Sequence, residues 1–135
     1  MIKKLPKENM GKSNLGWLQS RFHFSFAEYR NPKNVHFGVL RVLNDDIVHP
    51  KTGFEIHPHE NMEIISYIVD GEITHKDSMG NSETLKRGEV QYRSAGDGIF
   101  HSEKNESDKI LRVLQIWVFP PQKGLPRLYG SHKFK

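Results

Sequence analysis

Residues 63–76 read Glu63-Ile-Ile-Ser-Tyr-Ile-Val-Asp70-Gly71-Glu-Ile-Thr-His75-Lys76. The first seven are dense in β-branched and aromatic side chains, which suit a pleated, half-buried surface. Asp70-Gly71 is a hairpin-type turn pair, because glycine takes the positive φ that such turns demand. Glu72 to Lys76 then reads as the returning strand. The same grammar extends in both directions. Upstream, Val35 to Leu43 alternates and reads as a strand stopped by Asn44-Asp45-Asp46, and Pro50 to Gly53 forms a turn. Phe54 to His59 is extended, with Pro58 keeping His57 out of the helical region. Downstream, Asp77 to Asn81 is a second turn, short strands at Thr84–Lys86 and Val90–Arg93 flank Arg87-Gly88, and Ala95-Gly96-Asp97-Gly98 is a third turn. Ile110 to Phe119 is the longest apolar strand, ended by Pro120-Pro121. Short strands with turns roughly every 8–12 residues predict an all-β sandwich or barrel.

The flanks are less regular. Phe22, Phe24 and Phe26 alternate, Phe26–Tyr29 suggests a short helical turn, and the last fifteen residues lack periodicity. The expected organisation is a basic N-terminal tail over 1–12, a β domain over 13–119 and a basic C-terminal extension over 120–135.

A chain of 135 residues has room for one core. It contains no cysteine, which excludes disulfides, thiolate metal sites, iron–sulfur clusters and cysteine nucleophiles. Any metal must be held by His, Asp, Glu or backbone oxygen. The N-terminus lacks the apolar region of a secretory signal, and no apolar run approaches the ~20 residues of a spanning helix. The expectation is a soluble, cytoplasmic protein without membrane association.

A net charge of +4 and a pI near 9.3 invite a nucleic-acid reading. Their distribution argues against it. Lys3, Lys4, Lys7 and Lys12 oppose only Glu8 at one end, and Lys123, Arg127, Lys133 and Lys135 oppose no acid at the other. Residues 13–119 hold 12 Lys+Arg and 15 Asp+Glu. The body is mildly acidic, the tails read as solvated, and direct nucleic-acid binding is not expected.

Two pairs carry the chemistry: His57-Pro58-His59 and His101-Ser102-Glu103. Residues two apart in a strand share a face. Two such strands side by side inside a barrel would bring three imidazoles and one carboxylate to one point, a set suited to a borderline divalent ion. Either pair alone is weak, since an HxH in a strand is often a surface pair. His75 and Asp77 form a competing pair, read as solvated strand-end residues beside a turn. Glu63 shares the parity of His57 and His59 and reaches the same site only if the strand runs on without a bulge. His23, His36, His49 and His132 lack comparable partners and read as structural or surface residues.

The run from Gly53 to Tyr67, with His57-Pro-His59 and Glu63, resembles the pirin family of the cupin superfamily. So do Gly71-Glu-Ile-Thr-His75-Lys-Asp77-Ser-Met-Gly80-Asn81, Gly88-Glu-Val-Gln91, and Ser94-Ala-Gly96-Asp-Gly98-Ile-Phe-His101-Ser-Glu103-Lys-Asn105. Gly16-Trp17 to Phe26, Phe37 to Asp46 and Leu114-Gln-Ile-Trp117 agree with it, so the likeness covers roughly residues 12–130.

The resemblance implies a jelly-roll cupin barrel with helical turns at most, and a metal in its mouth. The family's ligands fall on His57, His59, His101 and Glu103. Most cupins use the first-motif glutamate, here Glu63; pirin-like proteins use the carboxylate two residues after the later histidine, here Glu103. Two departures from the family pattern fall at positions expected to touch no proposed ligand. Ser66 replaces the usual Thr, and Tyr92-Arg93 replaces the usual Arg-Met. Pirins normally carry two cupin domains, and the second is absent from this sequence.

The activity implied is that of a non-haem iron dioxygenase resembling quercetin 2,3-dioxygenase, taking a flavonol-like aromatic substrate and O2. Fe(II) is the first choice of metal, with Zn, Mn, Ni or Cu as alternatives. Glu103 is placed to take the substrate proton as general base. A competing reading is a metal-dependent regulatory module that binds a protein partner without catalysis, and a third is a barrel closed by structural zinc. A face that a second barrel would cover predicts a homodimer, unless the chain is a piece of a longer protein.

Overall fold

The computed structural model describes residues 2–59, 61–78, 80, 82–94, 99–126 and 128–134, and of residues 55–59, 99 and 100 the backbone alone. After a 3-10 turn at Lys7–Asn9, eleven strands follow among the described residues. They are β1 (Gly11–Asn14), β2 (Leu18–Phe22), β3 (Leu40–Val48), β4 (Thr52–His59), β5 (Glu63–Asp70), β6 (Glu72–Asp77), β7 (Ser82–Lys86), β8 (Glu89–Ser94), β9 (Ile99–Asn105), β10 (Leu111–Val118) and β11 (Leu128–Lys133). A seven-stranded sheet has the order β1-β2-β3-β10-β5-β8-β11, and a four-stranded sheet the order β4-β9-β6-β7. Every pairing is antiparallel. The all-β expectation holds. Among the described residues, no helix is long and apolar enough to cross a membrane.

Several boundaries differ from the sequence reading. Asn44-Asp45-Asp46 does not stop a strand; β3 runs through it from Leu40 to Val48. Asn44 and Asp46 face inward and are buried, while Asp45 faces out to a bidentate pair with Arg112 on β10 (2.7 and 3.0 Å). Asp70-Gly71 is not a hairpin, because β5 and β6 lie in different sheets and do not pair. It is a corner where the chain crosses between sheets. Gly71 has φ +85°, and a Cβ there would lie 2.6 Å from the Ile110 carbonyl oxygen, so conformation and space both require glycine. Phe26 and Tyr29 close an isolated bridge instead of a helical turn. The C-terminal stretch also departs from its reading as a mere extension, since β11 pairs with β8 over six positions. The Ala95–Gly98 turn lies outside the described residues.

Strand alternation builds the interior in layers. Val48, Ile68, Ile73, Leu85, Leu111 and Val113 form an apolar core between the sheets, with Trp17, Leu18 and Phe54 packed against it. One step along β3 and β10, the interior row turns polar: Asn44, Gln115, Ser66 and Gln91 are cross-strand neighbours over β3, β10, β5 and β8. The next row is Val42, Trp117, Ile64 and Arg93. The apolar core thus closes one part of the barrel, and a polar-studded cavity occupies the part beyond it.

Candidate functional site

His101 and Glu103 lie two apart on β9 and are both buried. Across from them, β4 carries a bulge between Phe54 and His57. Phe54 pairs with Glu103, and His57 pairs with His101. A regular ladder continued from Phe54 would instead have set Ile56 opposite His101. Directly opposed residues share a sheet face, so the bulge sets position 57 beside His101. Gly53 supports this closeness: a Cβ there would lie 2.4 Å from the Glu103 carbonyl oxygen. The side chains of His57 and His59 lie outside the described residues.

Glu103 is held by two neighbours. Arg93 Nη1 donates to Glu103 Oε1 and also to Gln91 Oε1. His75 Nδ1 lies 3.2 Å from the same Glu103 oxygen, and its Nε2 lies 2.9 Å from Asp77 Oδ2. His75 and Asp77 are therefore not solvated strand-end residues; both side chains are fully buried. They turn inward because His75 pairs with Glu103 and Asp77 with His101 in the β6–β9 register. The His75 ring stacks against His101 on one side and Tyr129 of β11 on the other, at centroid distances of 5.7 and 4.8 Å. Tyr129 donates to Glu83 Oε2 (2.8 Å) and accepts from Gln91 Nε2 (3.3 Å), and burial pushes its phenol pKa up. Arg93, expected to touch no ligand, bonds Glu103 directly because it faces into the barrel from β8. Sequence reasoning also missed His75 and Tyr129 as supports. The Arg93 departure and the parity of His75 with Asp77 were the available signals.

Glu63 does not continue β4. It opens β5 in the other sheet and accepts a bond from the Tyr92 hydroxyl at 3.4 Å. His23, His36, His49 and His132 do not line the cavity.

The cavity beside His101 and Glu103 has a volume of about 340 Å³, within the range of small-molecule sites. Phe22, Phe26, Phe54 and Trp117 give it aromatic walls, and Asn44, Asp46 and Arg93 add polar groups. Burial raises the Asp46 carboxyl to about 6, with a Ser20 hydrogen bond lowering it and the nearby Asp45 charge raising it. Among the described residues, no group of three or more His, Asp and Glu is arranged to hold a metal ion. The side chains of His57 and His59 are not among those residues. The donor types fit a divalent ion: buried imidazole and carboxylate two apart on one strand, with a further histidine opposite in register.

The profile of the Pirin family matches residues 4–118. A quercetin 2,3-dioxygenase from Escherichia coli is 46% identical over 135 residues, and a pirin-like protein from Caulobacter vibrioides is 46% identical over 134. Each alignment covers 99% of this chain and 58% of the relative, so the chain spans less than two thirds of their length. In structure, the bacterial pirin YhhW of E. coli, solved in complex with nickel(II), is 43% identical with a TM-score of 0.93. That match covers 96% of this chain and 56% of the other.

Proposed function

Since the chain belongs to the pirin family, we propose that it holds a divalent metal through His57, His59, His101 and Glu103 and oxidises a flavonol-like aromatic with O2. The observation that carries this reading is the buried His101–Glu103 pair on the wall of an aromatic-lined cavity, with His57 opposite His101 in register. The nickel complex of the E. coli pirin and the quercetin dioxygenase relative support it. A bound Fe(II) would supply Lewis acidity, one-electron redox capacity and a template for ordering reactants.

The chain's own residues account for the rest. Phe22, Phe26 and Trp117 offer apolar surface to a planar ring and keep water from it. Glu103 is the base nearest the metal end and takes the proton of the substrate hydroxyl. The bonds from Arg93 and His75 fix the orientation of its carboxylate.

The test is metal content by mass spectrometry and oxygen uptake with quercetin, on wild type, His59→Ala, Glu103→Ala and Asp77→Ala. We expect stoichiometric metal and iron-dependent uptake in the wild type. Both should be lost in the first two variants, and metal should be retained in the third, because Asp77 is hydrogen-bonded to His75 and is not one of the four proposed ligands. Stoichiometric zinc with no oxygen uptake would overturn the enzymatic reading.

A further inference from the structure

The cavity receives His101 and Glu103 from the four-stranded sheet, while Asn44 and Asp46 line it from β3 in the other sheet. Both are only 4% exposed. Ser20 hydrogen-bonds the Asp46 carboxyl, yet among the described residues neither Asn44 Oδ1 nor Asp46 Oδ1 has a partner. A buried acceptor with no donor is unfavourable, and native interiors leave few. Two at alternate positions of one strand, lining one cavity, point to a ligand that brings the hydrogens.

The surroundings select the kind of donor. Leu15, Leu18, Phe22, Phe26 and Trp117 stand around the pair in the cavity lining. An ammonium group would shed its hydration among these walls at large cost, whereas a hydroxyl on a planar ring loses far less. Aromatic walls also match a ring in shape. Asp45, the neighbouring acid, faces outward to Arg112 and leaves the recognition to positions 44 and 46.

We propose that Asn44 and Asp46 form a hydroxyl-reading subsite, which selects aromatic ligands whose ring facing β3 carries hydroxyl hydrogens. The inference rests on the flavonol reading above and deepens it. It assigns the hydroxylated ring to the β3 wall and leaves the reacting end at His101 and Glu103.

The test uses the nickel-loaded full chain with O2 excluded, so that no turnover enters the readout. Calorimetric titrations compare quercetin with galangin, a flavonol that lacks the two hydroxyls on the pendant ring. Wild type should bind quercetin at least about tenfold more tightly, equivalent to about 1.4 kcal/mol. In Asn44→Ala/Asp46→Ala the ratio should fall close to one, with galangin affinity kept. Asp46→Asn, which retains an acceptor oxygen, should preserve part of the preference. Equal affinities in the wild type, or a ratio that survives the double substitution, would overturn the subsite alone. Binding of neither flavonol would overturn the substrate reading and the subsite with it. Where the double variant does not fold, the wild-type comparison and Asp46→Asn decide.

Discussion

Asp46 works against the fold that carries it. Burial raises its carboxyl from 3.8 to about 6, so the folded chain holds a proton there that the unfolded chain has released. Between about pH 4 and pH 6 the native state therefore binds more protons, and stability falls as pH rises through that window. Above it the penalty is complete, at about 3 kcal/mol for a shift of this size. Asp46→Asn should raise the urea-unfolding free energy at pH 8 by about 2–3 kcal/mol and change it little at pH 4. An equal effect at both pH values would show that the carboxylate charge is not responsible. Arg93 presents the opposite balance. Its guanidinium bonds Glu103 within the barrel, and its positive charge opposes a metal cation at the same carboxylate. Arg93→Met should lower metal-free stability by about 3 kcal/mol, because Glu103 loses its buried counter-charge. The same change should raise nickel affinity, measured against a chelator, by roughly tenfold or more. Weaker nickel binding in the variant would mean that Arg93 organises Glu103 for the metal more than it competes with it.

At the scale of elements, alternation made most strands legible, and special backbone positions hid the rest. Val42 to Val48 alternates buried and half-buried, yet its inward positions include Asn44 and Asp46. A rule that breaks strands at Asn and Asp fails where a cavity wants polar groups. The Asp70-Gly71 pair marked the break between two strands, but turn chemistry alone does not say whether the next strand pairs with the last or crosses to the opposite sheet. The site was half legible for a similar reason. Parity paired His57 with His59 and His101 with Glu103, while the bulge that aligns the two strands depends on local packing and leaves no composition signal. β11 escaped notice because its side chains are largely exposed and its contribution is concentrated in Tyr129. That residue offers a direct test. Tyr129→Phe keeps the stack on His75 and removes two hydrogen bonds, which should cost about 1 kcal/mol in urea unfolding. Tyr129→Ala also removes the ring and should cost about 3 kcal/mol. If both variants matched wild type, β11 would contribute pairing and nothing to the site.

For the whole molecule, the proposed metal would be coupled to the fold. The four proposed ligands come from β4 and β9, neighbouring strands of the four-stranded sheet, and β9 also pairs with β6, which carries His75 and Asp77. An unfolded chain does not hold these groups together, so a bound ion stabilises the native state by mass action. Free metal at 100 times its dissociation constant adds about 2.7 kcal/mol. For a domain of this size that is a rise in Tm of about 10 °C. Nickel(II) is a convenient probe, because it is stable in air and is the ion bound by the E. coli pirin. Wild type should show the full rise on nickel addition and lose it with excess chelator. His57→Ala and Glu103→Ala should show little of it, while His36→Ala, which alters an exposed histidine outside the cavity, should behave as wild type. An equal rise in all four proteins would place nickel on surface histidines. No rise in any of them would remove the metal from this barrel and the proposed oxidation with it.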